Sequence, residues 1–241
     1  MLEKKIHALL LQNFQFEPTS LQEETLLALS QFVGDSTQKG IFLLKGYAGT
    51  GKTTLVSSLV KSLLPVGKKS VLLAPTGRAA KVLSVYSKKT AFTIHKRIYW
   101  FKTNSFGNSF LSLQENKHSN TIFIVDEASM IPDNTAKGFG GRNLLDDLIE
   151  YVYSGVNCKL ILIGDTAQLP PVHLDISPAL DKKLLERDYG RDITEIELTQ
   201  VVRQQSDSLI LSNATQLRDL ISNNSSSYPS IDCNEDVVNL T

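Results

Sequence analysis

Ile41-Phe42-Leu43-Leu44-Lys45-Gly46-Tyr47-Ala48-Gly49-Thr50-Gly51-Lys52-Thr53 runs from an unbroken apolar stretch into a glycine-rich turn, then into a lysine and a threonine. The last eight residues fit the pattern G-x-x-x-x-G-K-[ST]. Glycines let the backbone wrap a phosphate at close range. The following helix offers N–H groups with no intrahelical partner, and the positive end of its dipole. In that arrangement Lys52 reaches the β- and γ-phosphates of a nucleotide and Thr53 ligates Mg²⁺. This chemistry needs a strand before the turn and a helix after it. Residues 41–44 supply the first, and Val56, Leu59, Val60 and Leu63, on one helical face, supply the second.

Three other runs share the unbroken apolar character of 41–44: Val71-Leu72-Leu73, Ile122-Phe123-Ile124-Val125 and Leu160-Ile161-Leu162-Ile163. Each stops within two residues at Gly, Pro or Asp. Strands buried on both faces of a parallel sheet read this way. Helical sets lie between and after them, at Leu145, Leu148, Ile149 and Val152, and at Ile210, Ala214, Leu217 and Ile221. Strands alternating with helices predict crossover units and a three-layer α/β fold around a central, mainly parallel sheet. Upstream, Ser20-Leu21-Gln22-Glu23 reads as a capping box that opens a helix to about Val33.

The pattern changes between 96 and 120. Arg97-Ile98-Tyr99-Trp100-Phe101 and Phe110-Leu111-Ser112-Leu113 flank Asn104-Ser105-Phe106-Gly107-Asn108, which predicts an inserted β-hairpin. Its aromatics either stack on bases or pack the ribbon onto the core; a two-stranded ribbon needs such support, which favours packing. Residues 133–143, rich in Gly and Asn, read as a mobile loop. Asn223-Asn224-Ser225-Ser226-Ser227 reads as the start of a linker or frayed end.

A phosphate site needs acidic groups as well. Asp126-Glu127, at the end of the third apolar run, provides a carboxylate to hold Mg²⁺ through water and a second to polarise an attacking water. Gly164-Asp165-Thr166-Ala167-Gln168-Leu169-Pro170-Pro171 ends the fourth run and places Gln168 to bond a γ-phosphate.

At 241 residues, with 41% hydrophobic and 21% charged, the chain has enough apolar material for a sizeable core and is not a disordered chain. No run approaches the roughly 18 apolar residues of a membrane span. Met1-Leu2-Glu3-Lys4-Lys5 lacks a signal peptide's apolar core, so the expectation is a cytoplasmic protein. Cys158 and Cys233 form no metal-ligand spacing. The formal net charge is zero, yet 36–114 contains no acid and 13 of the 25 Lys and Arg. The remainder carries 12 basic against 25 acidic residues. Such asymmetry suits a polyanion on the basic side, and equally suits solvated helix faces.

Taken together, these segments resemble superfamily-one DNA helicases of the RecD-like, 5′→3′ branch. Residues 46–53, Asp126-Glu127-Ala128-Ser129-Met130 and 164–171 match that family's motifs I, II and III. Ala74-Pro75-Thr76-Gly77-Arg78-Ala79-Ala80 is similar to motif Ia, Thr90-Ala91-Phe92-Thr93-Ile94-His95 to the following Thr-x-x-His segment, and Leu198-Thr199-Gln200-Val201-Val202-Arg203-Gln204 to motif IV. The resemblance covers about 18–220, in order. It implies a P-loop, RecA-like motor domain that binds ATP and Mg²⁺. Gly46, Ala48, Gly49, Thr50, Gly51, Lys52, Thr53 and Thr54 are implied to line the nucleotide. Gln22 is implied to read the adenine edge; an exposed helical glutamine is the plainer alternative. Lys52, Glu127, Gln168 and Arg203 are the implied catalytic set, with Thr53 and Asp126 on the metal and Arg203 as an arginine finger. Pro75, Thr76, Gly77, Arg78, Thr93 and His95 are implied to touch single-stranded DNA; Arg78 has the alternative of capping its own helix.

The resemblance also sets domain limits. The motor domain is expected over 1–95 and 121–221, the inserted hairpin, a pin in relatives, over 96–120, and a linker over 222–241. Nothing after Ile221 resembles the motifs of a second RecA-like domain, so the chain reads as the first motor domain of a longer protein, with repair or recombination partners. Two other functions compete. A small-molecule kinase needs an Arg-rich lid that this sequence does not show. A nucleotide-gated clamp has no need of a base such as Glu127.

Overall fold

The computed structural model describes residues 2–35, 40–103, 109–132, 143–168, 171, 174, 176–202, 213, 216, 217, 220 and 221, with the side chains of 101–103, 109 and 110 outside that description. The chain divides into two units, Met1–Val202 and Arg203–Thr241. In the second, the described residues, Leu217 and Ile221 among them, are helical; Ile210 and Ala214 of the expected set lie outside the described residues. So do nearly all of the expected loop at 133–143, the hairpin tip at 104–108 and the expected linker.

In the first unit the described strands β1 (Ile41–Gly46), β2 (Lys69–Ala74), β3 (Ala91–Thr93), β6 (Thr121–Val125), β7 (Lys159–Gly164) and β8 (Ile193–Leu198) form one sheet in the order β3-β2-β6-β7-β1-β8. Every pairing in it is parallel. The unbroken apolar runs have a direct cause. Ile41, Leu43, Phe123, Val125, Leu160 and Leu162 pack into one core cluster, while Phe42, Leu44, Ile122, Ile124, Ile161 and Ile163 pack into another. Alternate residues point to opposite faces, and both faces are covered. The result is three layers.

Helices α1 (Leu2–Asn13), α2 (Ser20–Gly34), α3 (Lys52–Leu63) and α4 (Gly77–Ser87) contribute to the second cluster; α5 (Ile94–Ile98), α6 (Leu144–Ser154) and α7 (Lys182–Tyr189) contribute to the first. Most begin at a side-chain cap. Thr76, Thr93, Asn143 and Asp181 accept from N–H groups of the first turns of α4, α5, α6 and α7.

The hairpin forms a separate antiparallel ribbon, β4 (Tyr99–Thr103) with β5 (Ser109–Leu113). Its first strand starts two residues later than the sequence suggests, because Thr93 caps a short helix that takes up Arg97 and Ile98. Tyr99 is buried and its hydroxyl donates to Asp147 Oδ2 of α6 at 2.6 Å, so it packs the ribbon down. Trp100 is 60% exposed and does not. No helix among the described residues is long and apolar enough to cross a membrane.

Candidate active site

Parallel strands in register put all their C-terminal ends on one edge, where ligands of such sheets bind. Thr93 is level with Ala74, Leu73 with Val125, Lys45 with Gly164 and Gly46 with Leu198. The six sequence segments singled out above therefore leave the sheet along a single rim.

The glycine-rich loop sits where β1 becomes α3. Gly51, the N-cap of α3, has φ 94°, a left-handed conformation that a side chain resists. A Cβ there would also collide with Gln22 Nε2. Gly46 is a close-approach position: a Cβ would lie 2.8 Å from Thr50 Oγ1 and 2.9 Å from Leu198 Cβ. Thr50 is buried, and its hydroxyl donates to Tyr47 O at 2.8 Å, closing the loop on itself. Lys52 Nζ donates to Gly46 O at 2.5 Å and Tyr47 O at 2.8 Å, which holds the ammonium against the loop's own carbonyls. Ala48, at the loop's crest, and Thr53, on the first turn of α3, are exposed; Gly49 and Thr54 are part-buried. Val202 N donates to Gly49 O at 3.0 Å. The chain thus reaches the loop one residue before Arg203, which itself lies outside the described residues.

Gln22 belongs to this loop. The capping box forms one residue earlier than the sequence suggests, at Thr19 and Gln22 rather than Ser20 and Glu23. Gln22 Oε1 accepts from Thr19 N at 3.1 Å, and Nε2 donates to Thr50 O at 3.0 Å. Its side chain is 4% exposed, so the exposed-helix alternative fails.

The acidic half lies on the rim beside the loop. Asp126 Oδ1 accepts from Glu127 N at 3.0 Å, and Oδ2 accepts from the hydroxyl of Tyr86 in α4. Glu127 has φ 56°, a left-handed conformation that costs a non-glycine residue about 1–2 kcal/mol. Strained positions of this kind gather at functional sites. Burial, and then the Asp126 carboxylate, push the Glu127 carboxyl above its usual range, while a hydrogen bond from Gln168 and the Lys52 ammonium pull it back. Gln168 Oε1 in turn accepts from Ser129 Oγ at 3.2 Å. Asp165, buried, accepts from Ala167 N at 2.8 Å and adds to the upward push on Glu127. Lys52, Asp126, Glu127 and Gln168 are therefore one electrostatic neighbourhood. Tyr86, Ser129 and Asp165 join it without having been singled out for a role.

The donor set suits a hard cation bound together with phosphate. A threonine hydroxyl and one carboxylate supply oxygen only, and among the described residues no group of three His, Cys, Asp or Glu is placed to hold a metal alone. Mg²⁺ is commonly held by one or two carboxylates, waters and the substrate's own phosphates.

The second set of residues lies farther along the rim. Pro75, Thr76, Gly77 and Arg78 leave β2, and Thr93 and His95 leave the adjoining β3; Gly77, Arg78 and His95 are exposed. Thr76 Oγ1 accepts from Ala79 N and Thr93 Oγ1 from Lys96 N, each at 3.2 Å. Thr76, not Arg78, caps α4. Each threonine oxygen still carries a proton that a phosphate can accept. The His95 ring lies 5.7 Å from that of Tyr99, and desolvation by the protein around it lowers its pKa. A separate cavity of about 320 Å³ at the hairpin base, beside Arg97, Trp100 and His118, is lined by none of the residues expected to bind nucleotide or strand.

With this geometry in place, the likeness to known proteins is informative. A family profile described as an AAA domain matches residues 22–222. The ATP-dependent RecD2 DNA helicase of Deinococcus radiodurans is 31% identical over 194 residues, 80% of this chain and 23% of that protein. The ATP-dependent DNA helicase dda of Enterobacteria phage T4 is 32% identical over 181 residues, 73% of this chain and 37% of that protein. The chain thus spans well under half the length of either relative. The crystal structure of Pif1 helicase from Candida albicans superposes with a TM-score of 0.52 at 21% identity, over 85% of this chain and 44% of that one, a likeness of fold. The chain belongs to the AAA domain family, and over most of its own length it is similar to these two ATP-dependent DNA helicases, one of them of the RecD2 kind.

Proposed function

We propose that this chain binds ATP·Mg²⁺ and hydrolyses it, and that it couples turnover to movement along single-stranded DNA. Joined to a second RecA-like domain of the same longer protein, it would unwind duplexes in the cytoplasm, in repair or recombination. The observation that carries the reading is the convergence of Lys52, Asp126, Glu127 and Gln168 beside a loop with no room for side chains at Gly46 and Gly51. In this reading residues 46–54 cradle the phosphates, and Lys52 leaves its carbonyl partners for the β- and γ-oxygens. Thr53 and Asp126 would hold Mg²⁺, which would supply positive charge against that developing on the phosphates. Glu127 takes the proton of the attacking water. Gln168 reports the γ-phosphate to Ser129 and Glu127, and Arg203 stabilises the transition-state charge. Pro75, Thr76, Gly77, Arg78, Thr93 and His95 form the strand track, and 96–120 is a subdomain inserted into the motor domain.

Steady-state ATP hydrolysis, with and without single-stranded DNA and with Lys52→Ala as background, tests the reading. Stimulation by the strand, lost in Lys52→Ala, is the expected result. Hydrolysis indifferent to DNA would place the chain among other P-loop ATPases. Bound nucleotide without hydrolysis would locate a missing catalytic group in a second domain.

A further inference from the structure

The proposed mechanism leaves one half-buried contact unused. Asp126 is held from two directions, by its own turn through Glu127 N and by helix α4 through the hydroxyl of Tyr86, forty residues away in sequence. Helix α4 is one continuous element, Gly77–Ser87, and the residues that open it are Pro75-Thr76-Gly77-Arg78. It is also tied to the other strand segment. Ser84 Oγ, two residues before Tyr86, donates to Ala80 O at 2.8 Å and itself accepts, also at 2.8 Å, from the N–H of Ala91, the residue that starts β3 and leads to Thr93 and His95. Both segments of the strand track and the carboxylate expected on the metal are therefore fastened to a single helix.

We propose that Tyr86 is a positioning residue, which fixes the orientation of the Asp126 carboxylate and passes to it the position of α4 set by a single strand bound at 75–78 and 93–95. This inference rests on the ATP·Mg²⁺ and strand reading. The chemistry suits the role. A phenol donates one directional hydrogen bond from a rigid ring, and that ring packs against the core cluster behind the loop. Partners of this second layer orient metal ligands, and their loss commonly weakens metal affinity about 10–100-fold. A rigid helix held at one end by nucleic acid and at the other by a metal ligand is a contiguous path for coupling.

The test is Tyr86→Phe, which keeps the ring and its packing and removes only the hydroxyl. Binding of a fluorescent ATP analogue is titrated with Mg²⁺, with and without a short oligothymidylate. Strand affinity is measured separately by anisotropy. In the parent chain the oligonucleotide should lower the Mg²⁺ concentration needed for half-maximal nucleotide binding. In Tyr86→Phe that concentration should rise about tenfold and stop responding to the oligonucleotide. Strand affinity and Mg²⁺-free nucleotide binding should stay unchanged, which a merely structural defect would not produce. A Mg²⁺ requirement and strand response equal to the parent's would overturn the inference and leave the ATP reading standing. A parent chain without Mg²⁺-dependent nucleotide binding would overturn both.

Discussion

Gln22 Nε2 donates to the carbonyl oxygen of Thr50 at 3.0 Å, so the residue that completes the cap of α2 also supports the phosphate loop from behind. Each half of its amide uses one hydrogen-bonding position here, Oε1 for Thr19 and Nε2 for Thr50. An amide oxygen has two lone pairs and an amide nitrogen two hydrogens. Among the described residues one acceptor and one donor position remain, the pair that an adenine edge requires. Adenine binding and loop support are then compatible in one side chain.

Gln22→Ala should lose both bonds at once. At about 1 kcal/mol each, stability should fall by about 1–2 kcal/mol, read from chemical denaturation. ATP affinity should fall a further several-fold, and its preference over CTP should disappear, read by competitive nucleotide binding. A stability loss with the ATP preference intact would leave Gln22 as a cap and loop support alone.

Glu127→Gln separates chemistry from binding. Its backbone is held at φ 56° by the turn that follows β6, and glutamine keeps the side chain's length and its contact with Gln168. On the proposed mechanism, removing the base should lower turnover about 10²–10⁴-fold, while ATP affinity stays within about twofold of the parent, because other residues would hold phosphate and metal. Rapid-quench and equilibrium measurements on the same variant decide it. Turnover retained at a tenth or more of the parent's rate would remove Glu127 from the reaction.

The sheet was legible in the sequence because burial on both faces gives unbroken apolar runs, and the loop because its glycines have no substitutes. Strand β8 was not. Ile193-Thr194-Glu195-Ile196-Glu197-Leu198 mixes polar with apolar residues and carries two acids, since it lies at the edge of the described sheet. Lys45 on the neighbouring strand meets Glu195 at 2.5 Å, a pairing that no local pattern announces. The capping box slipped by one residue for a similar reason. Thr19 and Ser20 both suit an N-cap, and Gln22 and Glu23 both suit its partner; the choice follows from Gln22 reaching Thr50, twenty-eight residues on. Nothing local marks Tyr86, because its partner Asp126 is forty residues away.

A buried lysine far from the loop gives a pH test of the fold. Lys159, at the start of β7, is 1% exposed; its Nζ donates to Phe32 O at 2.5 Å and lies 4.7 Å from the Phe32 ring centre. Burial lowers its pKa to about 8; Asp35 pulls it up and Lys68 pushes it down. Between about pH 8 and the ordinary value of 10.5 the unfolded chain binds a proton at this lysine that the folded chain does not. Stability therefore rises with pH across that interval, by up to about 1.4 kcal/mol per unit. Relative to Lys159→Met, the parent should gain about 1–2 kcal/mol between roughly pH 7.5 and 9.5, below the ordinary titration of tyrosine. Urea denaturation of both proteins across that range measures it. Parallel stability curves would show Lys159 to be charged in the folded protein throughout.

Arg78 offers the cleanest separation of the strand track from the nucleotide loop. It is exposed on the first turn of α4, and Thr76 rather than Arg78 caps that helix, so its guanidinium has no capping task to lose. Each phosphate contact on a single strand contributes about 0.7 to the slope of log affinity against log salt. Arg78→Ala should lower that slope by about this amount and weaken oligothymidylate binding at low salt, with ATP affinity unchanged. Arg187→Ala is the control, since Arg187 already meets Asp188 at 2.5 Å on α7 and should leave the slope where it was. Both slopes come from one series of anisotropy titrations. Equal slopes in the parent and Arg78→Ala would take Arg78 off the strand's path and leave the threonine hydroxyls at 76 and 93 to bind phosphate without it.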